Sequence, residues 1–189
     1  MTYQGMTTLN IALIHHPVVN KIGDVIGSAV TNLDIHDIAR TARTYGISRY
    51  FISTPYEDQQ QLVRELLAHW QTGHGSTYNP ARKDALSMVQ LTNSLDEVID
   101  TLTKQYGKRP LVVATSALLR ENSVSYQDLG QKITKGEPVL LLFGTAHGLA
   151  PEILQVTDVT LPPIKGGTNY NHLSVRSAAS IIIDRLLGS

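Results

Sequence analysis

The 189-residue sequence contains no cysteine. That single absence excludes disulfides, thiolate zinc sites, iron–sulfur clusters and cysteine nucleophiles. Long apolar runs are missing too: Val139 to Phe143 and Ile181 to Ile183 are typical, far below the ~18 residues of a membrane span, so no membrane helix is expected. Nor is there a charge excess of one sign, the usual mark of a dedicated nucleic-acid binder, because sixteen basic and sixteen acidic side chains cancel. Met1 to Thr8 is polar, with neither a basic n-region nor an apolar h-region, and a cytoplasmic location is the expectation. The seven histidines show no H-x-H or H-E-x-x-H spacing, and no metal is expected. Repeats, low-complexity tracts and Pro- or Gly-rich linkers are likewise lacking, so residues 1–189 are expected to form one domain.

What is present is an ordinary globular composition, 42% apolar and 17% charged. Short β-branched runs at Leu9 to Ile14, Tyr50 to Ser53, Met88 to Leu91, Leu111 to Thr115, Val139 to Phe143 and Val156 to Leu161 predict strands. Stretches with helical spacing alternate with them: Ile35 to Tyr45, Asp58 to Trp70, Leu95 to Tyr106 and Tyr126 to Lys135. Ser94 with Glu97, and more weakly Ser125 with Asp128, supply helix starts, while Gly46, Gly107 and Gly136 stand where helices should stop. Alternation of this kind predicts an α/β fold with a mainly parallel sheet flanked by helices, its ligands outside the carboxyl ends of the strands. Gly73 to Pro80 reads as the one long irregular interior loop.

Three segments carry more than fold. Val139-Leu140-Leu141-Leu142-Phe143 runs straight into Gly144-Thr145-Ala146-His147-Gly148-Leu149, where glycines let backbone amides approach a ligand; taken alone, the glycine pair is equally a tight turn. It is neither a phosphate loop nor the G-x-G-x-x-G fingerprint. Next comes Leu161 to Ala179, a strand end, the loop Lys165-Gly166-Gly167, then Asn171-His172-Leu173-Ser174-Val175-Arg176 opening a helix dense in small residues. The third is Asp34-Ile35-His36-Asp37-Ile38-Ala39-Arg40-Thr41-Ala42. In this order the three resemble the motifs of the SPOUT (α/β-knot) superfamily of S-adenosylmethionine-dependent RNA methyltransferases. The likeness spans nearly the whole chain and comes nearest to a small bacterial group of unassigned RNA target.

That resemblance implies a C-terminal trefoil knot, a homodimer and S-adenosylmethionine as methyl donor. It places the donor against Thr115 and Ser116, then Gly144, His147 and Gly148, then Leu161 and Ile164, with Asn171, Leu173 and Ser174 closing the pocket. Arg40 matches the first-motif arginine and can hold phosphate or stabilise a developing oxyanion; Asp34 and Asp37 are candidate bases, or simply acids at a helix N-terminus. The sequence departs from the ribose 2'-O branch at Ala146 and His147, where a glutamate is usual, at Asp34 in place of asparagine and at Arg176 in place of serine. Ribose and base nitrogen therefore both stay open as targets, in tRNA or rRNA.

For RNA, Arg40, Arg43 and Arg49 are candidates for a local basic patch or for a solvated helix face. In the Gly73 to Lys83 segment, Tyr78 can stack on a base while Arg82 and Lys83 meet phosphates. The last helix, with apolar positions at Leu173, Ala179, Ile182, Ile183 and Leu186, is the pairing surface that the resemblance implies, or an ordinary core helix, which would show the same pattern. The alternative to an enzyme is a non-catalytic RNA-binding protein that kept the fold.

Overall fold

The computed structural model describes residues 6–188. Of the polar, leaderless start expected at Met1 to Thr8, the first five residues lie outside those described. Six strands form the main sheet: β1 (Leu9–Ile14), β4 (Arg49–Ser53), β5 (Val89–Thr92), β6 (Leu111–Ala114), β7 (Val139–Gly144) and β8 (Val159–Thr160). They run in the order β5-β4-β1-β7-β6-β8, with every pairing parallel. Burial is continuous along the two central strands: all of β1, Asn10 included, and all of β7 but Gly144 are buried, as strands covered on both faces are.

Side chains alternate between the two covering layers with the period of a strand. Ile11, Leu13, Tyr50, Ile52, Leu141 and Phe143 meet α1 (Asn32–Thr44), α2 (Glu57–Gln71), α6 (Tyr126–Thr134) and α8 (Val175–Leu187) through residues such as Ile35, Ile38, Val63, Leu129 and Ile183. Ala12, Ile14, Phe51, Leu140 and Leu142 meet α5 (Leu95–Tyr106) and α7 (Pro151–Gln155) through Leu95, Val98, Leu102 and Ile153. The start signals act locally. Ser94 and Ser125 each accept a hydrogen bond from the amide three residues on, though the Glu97 carboxylate accepts from the amide of Asn93 rather than Ser94. Gly107 ends α5 in the left-handed conformation, φ 71°.

The structure differs from the sequence expectation in four places. Gly73 to Pro80 is largely helical, with α3 (Gly75–Tyr78) leading into α4 (Pro80–Leu86), because Asn79 caps the amide of Arg82 and Pro80 fits the first helical turn. A hairpin of β2 (Val18–Val19) and β3 (Val25–Ile26) follows β1. The last helix starts at Val175, capped by Ser174, so Leu173 precedes it and is exposed. The last strand is confined to Val159–Thr160, and Val156 lies outside it.

Candidate active site

A parallel sheet delivers all its strand ends to one edge, and here adjacency does the rest. β7, β6 and β8 are neighbours, with Ala114 level with Leu142 on one side and Thr160 on the other. The loops leaving the three strands therefore emerge side by side. Thr115 bonds the carbonyl of Leu142 through both its amide (3.0 Å) and its hydroxyl (2.9 Å), and the Leu161 amide donates to Ala114 O at 2.9 Å. Asn171 Nδ2 donates to the Ala117 carbonyl at 3.0 Å, which ties the third loop to the first. Leu161 is buried, and Ile164 packs partly buried against the core. Ser174, after exposed Leu173, accepts the Ser177 amide at the start of α8.

The middle loop is shaped by its backbone. A Cβ on Gly144 would stand 2.8 Å from Leu149 N, so only glycine lets the loop double back there. Ala146 sits at φ 51° and Gly148 at φ 118°, positions that bend the chain sharply. The bend is held by the β2–β3 hairpin: the His147 amide donates to Val19 O and the Val19 amide to Gly148 O, both at 3.0 Å. The side chains of His147 and His172 are exposed. Sequence reasoning missed this hairpin; its one signal was Asn20 to Asp24, where Asn20 Oδ1 accepts from the amides of Ile22 and Asp24.

Beside these loops the first-motif helix α1 lies along α8. Three polar contacts step along the seam at helical spacing: Arg176 with Asp37 (3.6 Å), Thr41 with Ser180 (3.0 Å) and the Tyr45 hydroxyl with Asp184 (2.6 Å). Rising numbers on both sides mean the helices pack in parallel. Asp34 is buried, one oxygen accepting from the Thr31 hydroxyl at 2.7 Å and the other from Arg176 at 3.2 Å. Asp34 and Arg176, two of the departures from the ribose 2'-O pattern, are thus one ion pair. Arg40 is exposed and lines an open groove of about 690 Å³ between the two helices, with Asp37, Thr44, Arg176 and Ile181.

The remaining RNA candidates are spread more widely. Arg43 is paired with Asp84 at 2.7 Å, and Arg49 donates to Gln105 at 2.6 Å. Arg82 stacks over Trp70, 4.6 Å from the ring centroid. Trp70 also meets His36 edge-on at 5.5 Å; burial, then the Arg82 guanidinium, hold His36 below the ordinary histidine value. Tyr78 is 79% exposed and stacks loosely on His74 at 6.4 Å, and Lys83 is exposed. Arg40, Arg43 and Arg49 therefore do not converge: they face α8, α4 and α5 respectively. Among the described residues no group of three or more metal-ligating side chains is placed to hold a metal ion, and no helix is long and apolar enough to cross a membrane.

Residues 8–188 match the family described as SAM-dependent RNA methyltransferase. A tRNA (guanine-N(1)-)-methyltransferase from Oleidesulfovibrio alaskensis is 47% identical over 94% of the chain, which spans only 41% of that relative. A protein from Aquifex aeolicus, named only as uncharacterized, is 41% identical over 93% of this chain and 86% of its own. Among solved structures, the TrmH/SpoU tRNA modifying enzyme of A. aeolicus superposes with a TM-score of 0.57 at 15% identity, covering 95% of this chain and 74% of that one. The SpoU methyltransferase AviRb from Streptomyces viridochromogenes, in complex with AdoMet, gives 0.57 at 16% identity, covering 94% and 58%. The six-stranded fold is that of the SpoU/TrmH methyltransferases, and the chain belongs to the SAM-dependent RNA methyltransferase family.

Proposed function

We propose that the chain transfers a methyl group from S-adenosylmethionine to RNA, with tRNA or rRNA as substrate, and that the three loops after β6, β7 and β8 hold the donor. The observation that carries this reading is the family match over residues 8–188 falling on a structure in which the two glycine-bearing motif segments leave neighbouring strand ends beside the loop after β6, at one sheet edge. Relatives named for tRNA favour tRNA, although the chain spans 41% of the first of them. The loops suit the donor chemically: main-chain groups, the small residues Gly144 and Gly148, the apolar Leu161 and Ile164, and the polar Thr115, Ser116 and Asn171 offer an adenosyl group both apolar walls and hydrogen-bond partners.

When bound, the donor supplies an activated methyl on a sulfonium, so the protein's work is alignment and charge stabilisation. Arg40, exposed at the groove, is the proposed acceptor-side cation. Asp34 has both oxygens engaged; its proposed part is to hold Arg176 and with it the first turn of α8, directly behind Asn171 to Ser174. Tyr78 and Lys83 are proposed RNA contacts on the opposite side of α1, with Arg43, paired with Asp84, and Arg82, stacked on Trp70, as lesser ones. The groove between α1 and α8 is the proposed seat of a second copy, with Arg40 serving a shared site, and the return of the chain from β8 over Ala117 into α8 is the proposed knot. Residues 1–189 form the proposed single domain, acting in the cytoplasm where its RNA would be.

The test is incubation with methyl-labelled S-adenosylmethionine and total RNA from a strain lacking the gene, followed by digestion and mass spectrometry. A labelled ribose is expected if Arg40 serves a 2'-O acceptor, and a labelled base if a ring nitrogen is the target. Donor binding without any labelled nucleoside would contradict the proposal and leave the non-catalytic reading.

A further inference from the structure

The segment between the end of β1 and α1 makes contacts that the donor reading does not by itself require. Ser28 Oγ lies 3.0 Å from His15 Nδ1 and 2.5 Å from Thr145 Oγ1, and Thr145 Oγ1 donates to Ile14 O at 3.0 Å. Each hydroxyl has one proton to give, and that fixes the direction. Thr145 spends its proton on the Ile14 carbonyl, so it accepts from Ser28. Ser28 then has none left for histidine and accepts from Nδ1–H; its 3.4 Å approach to the His15 carbonyl is the weaker competitor. His15 thereby carries a proton on Nδ1, and its full burial makes that ring the neutral tautomer, since desolvation pushes the imidazole down to about 4 against the opposing pull of the Asp34 carboxylate.

We propose that His15, Ser28 and Thr145 form a one-way hydrogen-bond chain that positions the glycine loop for the methyl donor, so that all three are positioning residues. The inference rests on the donor reading given above. Thr145 is the residue between Gly144, which admits no Cβ, and Ala146, which is held at φ 51°. A non-glycine residue in that conformation persists only where its surroundings enforce it. Two restraints do so from the same segment between β1 and α1, His15 to Ser28, which forms a flap beside the loop. The Ser28 amide donates to His15 O at 2.8 Å and closes the flap's base beside the Thr145 hydroxyl, while Val19, midway along the flap, pairs with His147 and Gly148 on the loop's far side. Losing the hydroxyl at 145 frees one side of the bend and leaves the Val19 pairing to hold it alone, so the His147 amide opens more often.

The chain is tested in the full protein with S-adenosylhomocysteine, the non-reactive product of donor chemistry, and with amide hydrogen exchange. Thr145→Val, which keeps shape and removes the hydroxyl, and Ser28→Ala are each expected to weaken binding about tenfold and to speed exchange of the His147 amide by a similar factor. Thr145→Ser should stay within about twofold of the parent, and the double variant should be no worse than the worse single one, because both break one chain. β1 amides report whether the fold survives. An unchanged His147 amide in both single variants, or a Thr145→Ser variant as impaired as Thr145→Val, would overturn the proposal. Were the parent to bind no S-adenosylhomocysteine, the donor reading would fall, and the exchange rates would still decide whether the chain sets the loop.

Discussion

The two flanks of the proposed site are held together in opposite ways. On the donor side, main-chain hydrogen bonds and small residues make the shape: Gly144 against Leu149, Val19 against His147 and Gly148, Thr115 on Leu142, Asn171 on Ala117. On the acceptor side, long charged side chains make it, and most already hold one another: Arg43 with Asp84, Arg176 with Asp34, Arg82 over Trp70. The proposed donor cradle is fixed backbone. The proposed RNA-facing surface is made of side chains, whose charge is available only where no internal partner takes it.

The largest expected effect tests the one first-motif cation left open to the groove. Arg40→Ala should lower kcat/KM for RNA methylation on the order of 1,000-fold while the affinity for S-adenosylhomocysteine stays within about twofold; a matching loss of donor affinity would erase the division between flanks. Arg40→Lys should rescue little, since an ammonium lacks the planar fork.

Next comes His15. Its folded value of about 4 lies below the ordinary 6.5, so the unfolded chain takes up the proton first. The contribution is whole above pH 6.5 and is lost as pH falls toward 4, amounting to about 3 kcal/mol. Urea unfolding of the parent and of His15→Asn should show a stability gap at pH 7 that narrows by about that much at pH 4. A gap independent of pH would mean that His15 is not held neutral.

Gly144→Ala should cost donor affinity about 30-fold, or about 2 kcal/mol, because the new Cβ meets backbone rather than a movable side chain; calorimetric titration reads it directly. The smallest effect is predicted for Arg43→Ala. As an exposed ion pair with Asp84 it should change RNA affinity and stability by less than about 1 kcal/mol, less than Lys83→Ala changes RNA affinity, in filter-binding measurements at low salt.

The same contrast decides what could be read beforehand. β1 and β7 were legible because burial on both faces leaves a run that is apolar throughout in Val139 to Phe143 and broken only by Asn10 in β1, and the glycine-bearing loop proposed for the donor stood out because it follows such a run directly in sequence. The β2–β3 hairpin was not: two residues per strand carry no periodicity. α4 had its signal in Asn79-Pro80, a cap followed by a first-turn proline, masked by the glycines just before it. The fates of the cations were beyond reach for another reason. Asp84 is 41 positions from Arg43, and Asp34 is 142 from Arg176, so nothing local marks Arg43 as engaged and Arg40 as free, or shows that two departures from the family pattern answer each other.

The most direct test of the donor cradle is the change in backbone amide chemical shifts when S-adenosylhomocysteine is added to the full protein. The shifts should concentrate in residues 115–118, 144–149 and 161–174, with Val19 and Ser28 responding through the flap. Shifts confined to α2, α3 and α4, or none at saturating ligand, would contradict it.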